Sequence, residues 1–377
     1  MLQANGKIQR VQSLMMDARI RGLDQPATTP LRIDNQTDQP DTIRAIVLLV
    51  DFSDNQADTI NYPQSHFDEL LFSVGTFPTG SYTDYYLEVS YDAVIFVGEI
   101  AGYYRMPQTY EYYTDSSYGI GDYPRNAQRM TEDAVWAADP DVDFSIYDND
   151  NNGYVDAIFI VHAGRGAEQT GDVNDIWSHK WAVPNPPLVD GVYVFEYCTE
   201  PEDGHIGVFC HEAGHLIFGL PDLYDYDYDS RGVGYWTLMA SGSWLNGGRN
   251  PAHLDAYCKI EAGFVNPVTL NTNNWAQSIP LVETNPIIYK LWTDGILSSQ
   301  YFLVENRQHV GYDYYLPGDG LLIYHVDETR WNNNNQWYPG YTAYGHYLVA
   351  VEQADGNWDL EQYVNGGDTG DPWPGST

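Results

Sequence analysis

The sequence predicts an α+β fold in which helices and strands alternate at first and strands dominate after about residue 265. Three observations predict it. An apolar, β-branched run, RAIVLLVDF, begins at Arg44 and has the length and composition of a buried strand. Helix-like segments then separate this run from later strand-like ones. Beyond residue 265, apolar runs are divided by turns rich in Gly, Asn and Pro.

Each element is predicted from its local pattern. Helices are predicted over residues 63–74, 81–91 and 123–139, the last with Pro124 near its first turn. Strands are predicted over residues 93–100 and 154–164. The later candidate strands are PIIYKLW, QYFLVENRQ, GLLIYHVD and HYLVAVEQAD.

The chain is expected to have three parts. Residues 1–43 include a stretch rich in Pro, Thr, Asp and Gln without periodicity, and they are predicted to be a leader, a linker or the remnant of a pro-segment. Residues 44–265 are predicted to form the main domain. Residues 266–377 are predicted to form a β-rich subdomain that packs on it or continues it.

The composition limits the partners of the protein. Its 17 Lys and Arg against 53 Asp and Glu leave a formal charge of -36, which argues against nucleic acid or anionic membrane as a partner. No apolar run approaches the roughly 18 to 20 residues of a membrane helix, and the first 30 residues lack a signal-peptide core. The acidity and the 32 Tyr and 11 Trp favour an extracellular location. The oligomeric state cannot be inferred.

The segment CHEAGHLIFGLPDLYD, residues 210–225, indicates a zinc site. His211 and His215 lie one turn apart on a predicted helix with Asp203 as its N-cap, so both imidazoles can reach a single ion. Glu212 is offset by one residue and can take a proton from a zinc-activated water. A match to HExxH alone also arises by chance, but the segments that follow make chance a weak explanation.

Those segments resemble the immune inhibitor A family of secreted bacterial metallopeptidases. GLPDLYD and then GYWTLMASGSW follow the histidines, and LLVDFSD, DNDNNGYVDAIFIVHAG and IWSHKW are also similar to family segments. The resemblance runs from about Arg44 to the end of the chain. It implies a zincin-like, metzincin-like catalytic domain with a twisted mixed sheet, backing helices and an active-site helix. It also implies a methionine turn, with Met239 as a hydrophobic floor beneath the zinc.

The third zinc ligand departs from the family pattern HExxHxxGxxD. Gly219 and Asp222 lie four and seven residues after His215, so the segment carries one additional residue. The helix either runs one residue further or bulges before the glycine. Asp222 is the preferred ligand; Asp225, Glu261 and His253 are the alternatives. A Pro-Asp pair also commonly forms a turn.

A calcium loop is predicted over DNDNNGYVD. Asp148, Asp150, Asn152, the Tyr154 carbonyl and Asp156 occupy alternating ligand positions of an EF-hand-like loop, although Phe159 stands where the closing glutamate belongs. A polar Asx-rich turn is the alternative. The aspartates of DLYDYDYDSRG, residues 222–232, are either a further calcium site or a solvated acidic loop. Residues 331–347 are either a sugar-binding or substrate-contacting surface or a long ordered loop.

The sequence therefore predicts a secreted zinc endopeptidase acting on protein or peptide, with catalytic Zn²⁺ and structural Ca²⁺. Glu212 is the predicted catalytic base. The competing hypothesis is a zincin-fold structural or adhesive module of an extracellular assembly with little or no peptidase activity. A phosphate loop and a GxSxG nucleophile elbow are both missing from the sequence.

Overall fold

The structure is a computed structural model that describes residues 30–31, 33, 40–273, 275–292, 298–341 and 345–375. The predicted leader over residues 1–43 lies mostly outside the described residues. The chain divides into two compact units. The first includes Thr42–Asp84 and Ile95–Gly219, and the second includes Tyr85–Val94 and Leu220–Thr377. The three-part division at residues 43 and 265 stays a prediction.

The first unit is built on a mixed five-stranded sheet. Its strands are β1 (Asp41–Asp51), β2 (Val94–Arg105), β3 (Ile158–His162), β4 (His179–Ala182) and β7 (Glu196–Pro201), in the order β2-β1-β3-β7-β4. β3 pairs in parallel with both β1 and β7, whereas β4 is antiparallel to β7 and ends the sheet. The short strands β5 (Leu188–Val189) and β6 (Val192–Tyr193) form a separate hairpin.

Helices accompany this sheet along the chain. They are α1 (Gln64–Phe72), α3 (Tyr110–Thr114), α4 (Ala127–Ala138), α5 (Ala167–Thr170) and α6 (Ile206–Phe218), whereas α2 (Tyr82–Val89) belongs from Tyr85 onwards to the second unit. Ile46, Leu48 and Val50 of β1 join a buried cluster with Met130 and other residues of α4. β1 is buried on both faces, which explains why its sequence is continuously apolar instead of alternating.

The second unit contains a five-stranded sheet of its own. α7 (Ala256–Glu261) precedes β8 (Val268–Leu270), β9 (Tyr289–Leu291), β10 (Gln300–Arg307), β11 (Gly320–Asp327) and β12 (Val349–Val351). The order is β12-β11-β10-β9-β8, with all pairs antiparallel except β8 and β9. Lys259 of α7 and Arg307 of β10 flank the Glu305 carboxylate in a fully buried ion-pair network.

The structure confirms a mixed α and β architecture and adjusts the start of one helix. α4 begins at Ala127, because the Asn126 side chain accepts a hydrogen bond from the Arg129 backbone N–H and caps the helix there. Pro124 therefore precedes the helix and does not lie within its first turn. None of the helices in the described part of the chain has both the length and the apolar character needed to cross a bilayer.

Candidate metal centre

α6 carries the two histidines and is buried along most of its length. It packs against β7 and β4 of the first unit, so its sequence is apolar on almost every side. The predicted N-cap at Asp203 is wrong. His205 occupies that position without a side-chain cap, and the Asp203 carboxylate lies 3.5 Å from the guanidinium of Arg165.

The end of α6 accounts for the additional residue in the sequence. The helix continues through Phe218, and Gly219 follows in the left-handed conformation with φ of 66°. The Gly219 N–H donates to the carbonyls of Gly214 and His215 and closes the last turn. The helix thus runs one residue further, and the glycine then redirects the chain towards Asp222.

The imidazoles of His211 and His215 converge on one point. Their Nε2 atoms are 3.2 Å apart, and the rings are nearly perpendicular, at 89°. Two nitrogens bound to one tetrahedral zinc at about 2.0 to 2.1 Å are separated by about 3.3 Å. The spacing of the histidines therefore fits a shared zinc ion.

Asp222 meets the histidines within this short stretch of chain. The candidate ligand atoms of His211, His215 and Asp222 all lie within 4.8 Å of one another. The Tyr226 hydroxyl donates to Asp222 Oδ2 at 2.8 Å, which orients the carboxylate. Two imidazoles and one carboxylate are a donor set that catalytic zinc uses, so the residues fit the predicted metal.

The alternative third ligands are occupied elsewhere or have other neighbours. Asp225 Oδ2 accepts from the backbone and hydroxyl of Ser230, and Asp225 groups with Asp227 and Asp229. His253 is fully buried with its Nε2 2.8 Å from a Glu88 carboxylate oxygen. Glu261 is exposed at the end of α7. The geometry favours Asp222, and its role as a ligand stays a prediction.

Met239 lies in a buried turn that is hydrogen-bonded to the loop after α6. Its carbonyl accepts from the N–H of Leu223, the residue after Asp222, at 2.8 Å. The Thr237 hydroxyl accepts from the Met239 N–H at 3.3 Å. The turn and the loop therefore hold one another in place. The assignment of Met239 as a floor for the zinc stays a prediction.

The surroundings of Glu212 include two buried acids that the sequence analysis did not identify. Burial, and then the nearby Glu212 carboxylate, raise the pKa of Glu200 well above its ordinary value. Neither carboxylate oxygen of Glu200 has a hydrogen-bond partner. Burial raises the pKa of Glu168 to about 7, although its carboxylate accepts hydrogen bonds from the backbone and hydroxyl of Ser178.

No local pattern marks these two acids. Glu200 lies within the buried strand β7 and Glu168 within the short helix α5. Their proximity to Glu212 arises only when β7, α5 and α6 pack together. Glu212 itself is only 7% exposed, so the candidate base lies in surroundings that hold little water.

The predicted calcium loop brings three carboxylates together. Ligand atoms of Asp148, Asp150 and Asp156 lie within 4.8 Å of one another. Backbone N–H groups donate to all three: that of Asn152 to Asp148 Oδ1 at 2.9 Å and to Asp150 Oδ1 at 3.0 Å, and that of Asn149 to Asp156 Oδ2 at 2.5 Å. The Tyr154 N–H donates to the Asn152 side chain. These hydrogen bonds are those of an Asx-type turn, and calcium stays a prediction.

The HExxH helix and its histidine pair are typical of a metallopeptidase, and the comparisons with known proteins identify the family. The model of the immune inhibitor A peptidase M6 catalytic domain matches residues 33–262. This chain belongs to that family, which confirms the predicted resemblance.

Two curated relatives agree with this assignment. The pre-pro-metalloprotease PrtV of Vibrio cholerae serotype O1 is 31% identical over 273 residues, which are 59% of this chain and 30% of the relative. Immune inhibitor A of Bacillus thuringiensis subsp. alesti is 30% identical over 250 residues, 53% of this chain and 36% of the relative. The matched part thus spans about a third of the length of these relatives.

Proposed function

We propose that this chain is a zinc-dependent endopeptidase that acts outside the cell on proteins or peptides. One observation carries the proposal: two imidazole Nε2 atoms 3.2 Å apart on one helical face, beside the carboxylate of Asp222. Membership in a metallopeptidase family supports it. The acidic composition and abundant aromatic residues support the extracellular location.

The residues have distinct roles in the proposed reaction. His211, His215 and Asp222 would hold the zinc, and the Tyr226 hydroxyl would fix the Asp222 carboxylate. Bound zinc supplies a Lewis acid that polarises the peptide carbonyl and lowers the pKa of water. Glu212 takes a proton from the attacking water and delivers it to the nitrogen of the leaving amine. Met239 forms the apolar floor of the site.

The edge of the first sheet offers a place for an extended substrate. β4 is the last strand of that sheet, is antiparallel to β7 and packs beside α6. A peptide that adds to β4 as a further strand would gain backbone hydrogen bonds and lie next to the helix that carries Glu212. Backbone pairing is insensitive to sequence, so it suits a protein substrate of varied composition.

Calcium is part of the proposal as a structural ion. Asp148, Asp150 and Asp156, with Asn152 and the Tyr154 carbonyl, offer the oxygen ligands that calcium prefers. Their loop precedes β3, at the centre of the first sheet. Bound calcium would fix the start of that strand.

The first test separates metal binding from catalysis. Zinc content and cleavage of a denatured protein are measured for the wild type and for Glu212→Ala. Glu212→Ala is expected to retain about one zinc per chain and to lose roughly 100- to 10,000-fold in cleavage rate, the usual contribution of a general base. Asp319→Ala serves as a control, because the Asp319 side chain is 53% exposed and belongs to none of the acidic clusters, so that it should affect neither quantity.

Two results would overturn the proposal. Bound zinc without any cleavage that depends on Glu212 would indicate the structural or adhesive module instead. Absence of zinc from the purified and zinc-treated wild type would reject the metal site itself. Loss of zinc in Glu212→Ala alone would show that Glu212 acts as a ligand.

A further inference from the structure

A pocket in the second unit is built by Trp337 and residues 345–347 together with β11, β12 and the chain after β12. Its volume is about 370 Å³, within the range of small-ligand sites. Trp337, His346, Trp358, His325, Glu352 and Glu361 line it. None of these residues belongs to the candidate metal centre.

Two tryptophans form adjoining walls of this pocket. The rings of Trp337 and Trp358 have centroids 5.6 Å apart and planes at 88°. Trp337 is 45% exposed, so a ligand can reach its ring from the solvent. At this distance and angle the two indoles are in edge-to-face contact, so together they form one continuous aromatic wall. A cation can rest on such a wall within about 6 Å of a ring centroid.

The charges in the pocket favour a cation as well. Glu361 is 2% exposed and Glu352 is half-buried, and no described residue lining the pocket is a lysine or an arginine. Burial raises the pKa of Glu361 to about 8 even though Gln353 Nε2 donates to its carboxyl group, and burial also raises the pKa of Glu352 against the opposing effect of His346. A cationic ligand would relieve this cost.

His325 does not provide that positive charge. Burial and the nearby His346 lower the pKa of His325 to about 4, so its ring is neutral at pH 7. His325 Nδ1 lies 3.8 Å from Glu352 Oε1, beyond hydrogen-bond distance, and its Nε2 is buried without a partner. His346 Nδ1 donates to the Tyr347 carbonyl at 2.7 Å. Neither of these histidine contacts is a hydrogen bond to the Glu352 carboxylate.

We propose that this pocket binds the side chain of a lysine or arginine of a peptide or protein, with its charged end against the aromatic wall of Trp337 and Trp358 and beside Glu352. The volume admits one such side chain, and the aromatic faces and the carboxylate together recognise its charge. The inference concerns binding alone and does not depend on the proposed peptidase activity.

The experiment measures binding of blocked tripeptides Ala-Lys-Ala, Ala-Arg-Ala and Ala-norleucine-Ala by isothermal titration calorimetry. The Glu212→Ala chain is used so that no peptide is cleaved, and moderate salt screens the diffuse attraction of an acidic protein for cations. At least one basic peptide is expected to bind tenfold or more tightly than the norleucine peptide. Equal binding of all three would reject the proposal.

Variants locate the binding in this pocket. Glu352→Gln and Trp337→Leu are each expected to reduce the affinity for the basic peptide at least fivefold. Asp319→Asn and Trp275→Leu should leave this affinity unchanged. Both positions are exposed, belong to the same unit and lie outside the pocket lining. Melting temperatures are compared first, so that any variant that fails to fold is replaced by Glu352→Asp or Trp337→Phe.

Other outcomes would assign the pocket differently. Binding that is equally strong in Glu352→Gln and Trp337→Leu would place the peptide elsewhere on the acidic surface. Tight binding of an oligosaccharide with no preference for basic peptides would make this a sugar site. A second zinc equivalent that disappears in His325→Phe would make it a metal site. Each of these results contradicts the proposal.

Discussion

At the scale of single residues, the chemistry of the candidate site depends on three atoms and their support. The paired Nε2 atoms of His211 and His215 follow from their spacing on a helix. The carboxylate of Asp222 does not, because it comes from the loop beyond Gly219. The Tyr226 hydroxyl holds that carboxylate, so two residues outside the HExxH motif decide whether the zinc site is complete.

Removal of these groups should weaken zinc binding in a graded way. Asp222→Ala is expected to reduce zinc affinity more than Tyr226→Phe does, because the first removes a ligand and the second only its support. Loss of an outer partner typically costs about 10- to 100-fold in metal affinity. Competition with a chromogenic chelator measures the zinc affinity of both variants. Asp225→Ala is the matched control, and a larger effect there would reassign the third ligand.

A second residue-scale prediction concerns pH. Burial lowers the pKa of His162 in the folded state to about 4, and its Nε2 has no hydrogen-bond partner. An unfolded chain titrates this group near its ordinary pKa of 6.5, so the folded state binds fewer protons between these values. Stability is therefore complete above pH 6.5 and declines as pH falls towards 4, by up to about 3 kcal/mol from this residue.

The test compares the free energy of unfolding of the wild type and His162→Phe from pH 7 to pH 4. The free energy of unfolding of the variant should fall less steeply with decreasing pH, because the variant lacks the ring that is protonated on unfolding. His309→Phe replaces a histidine whose side chain is 41% exposed and should retain the wild-type slope. Identical slopes for the wild type and His162→Phe would contradict the prediction.

At the scale of elements, the end of α6 decides the position of Asp222. The helix continues regularly to Phe218, and Gly219, with φ of 66°, lets the chain reverse. A residue with a Cβ in this left-handed conformation costs roughly 1 to 2 kcal/mol. The same strain would also move the loop that carries Asp222.

Gly219→Ala should therefore reduce both stability and zinc affinity. Gly75→Ala provides a close control, because Gly75 has the same φ of 66° and an added Cβ would meet nothing within 4 Å. Both variants are expected to lose similar unfolding free energy, but only Gly219→Ala should bind zinc more weakly. Chemical denaturation and zinc titration measure the two effects. Unchanged zinc affinity in Gly219→Ala would show that the loop adapts.

At the scale of the whole molecule, a net charge of -36 makes cations the natural ligands of this protein. Calcium is expected to raise the melting temperature of the zinc-loaded protein, because a ligand of the native state stabilises it by about 2.7 kcal/mol at 100 times its dissociation constant. Asp148→Asn should abolish this response. Asp227→Asn, in the other acidic cluster, should retain it.

The two acidic clusters make this comparison informative. If calcium does not change the melting temperature, the Asp148 loop is a polar turn without a calcium site. Its internal hydrogen bonds are compatible with that alternative. A response that disappears only in Asp227→Asn would transfer the calcium site to the loop of Asp225, Asp227 and Asp229.

The sequence alone determined the features that depend on residues near one another in the chain. The histidine pair, Glu212, the buried strand that begins near Arg44 and the family resemblance follow from local spacing and composition. Helical periodicity converts a spacing of four into proximity in space, so these predictions needed no tertiary information.

The tertiary structure decided what depends on packing between distant segments. Glu168 and Glu200 approach Glu212 only because α5, β7 and α6 pack together, and no pattern in the chain marks them. The same holds for the pocket that joins Trp337 to Trp358 and Glu352. Burial sets the protonation of such groups, and burial is a property of the folded chain that a list of residues does not contain.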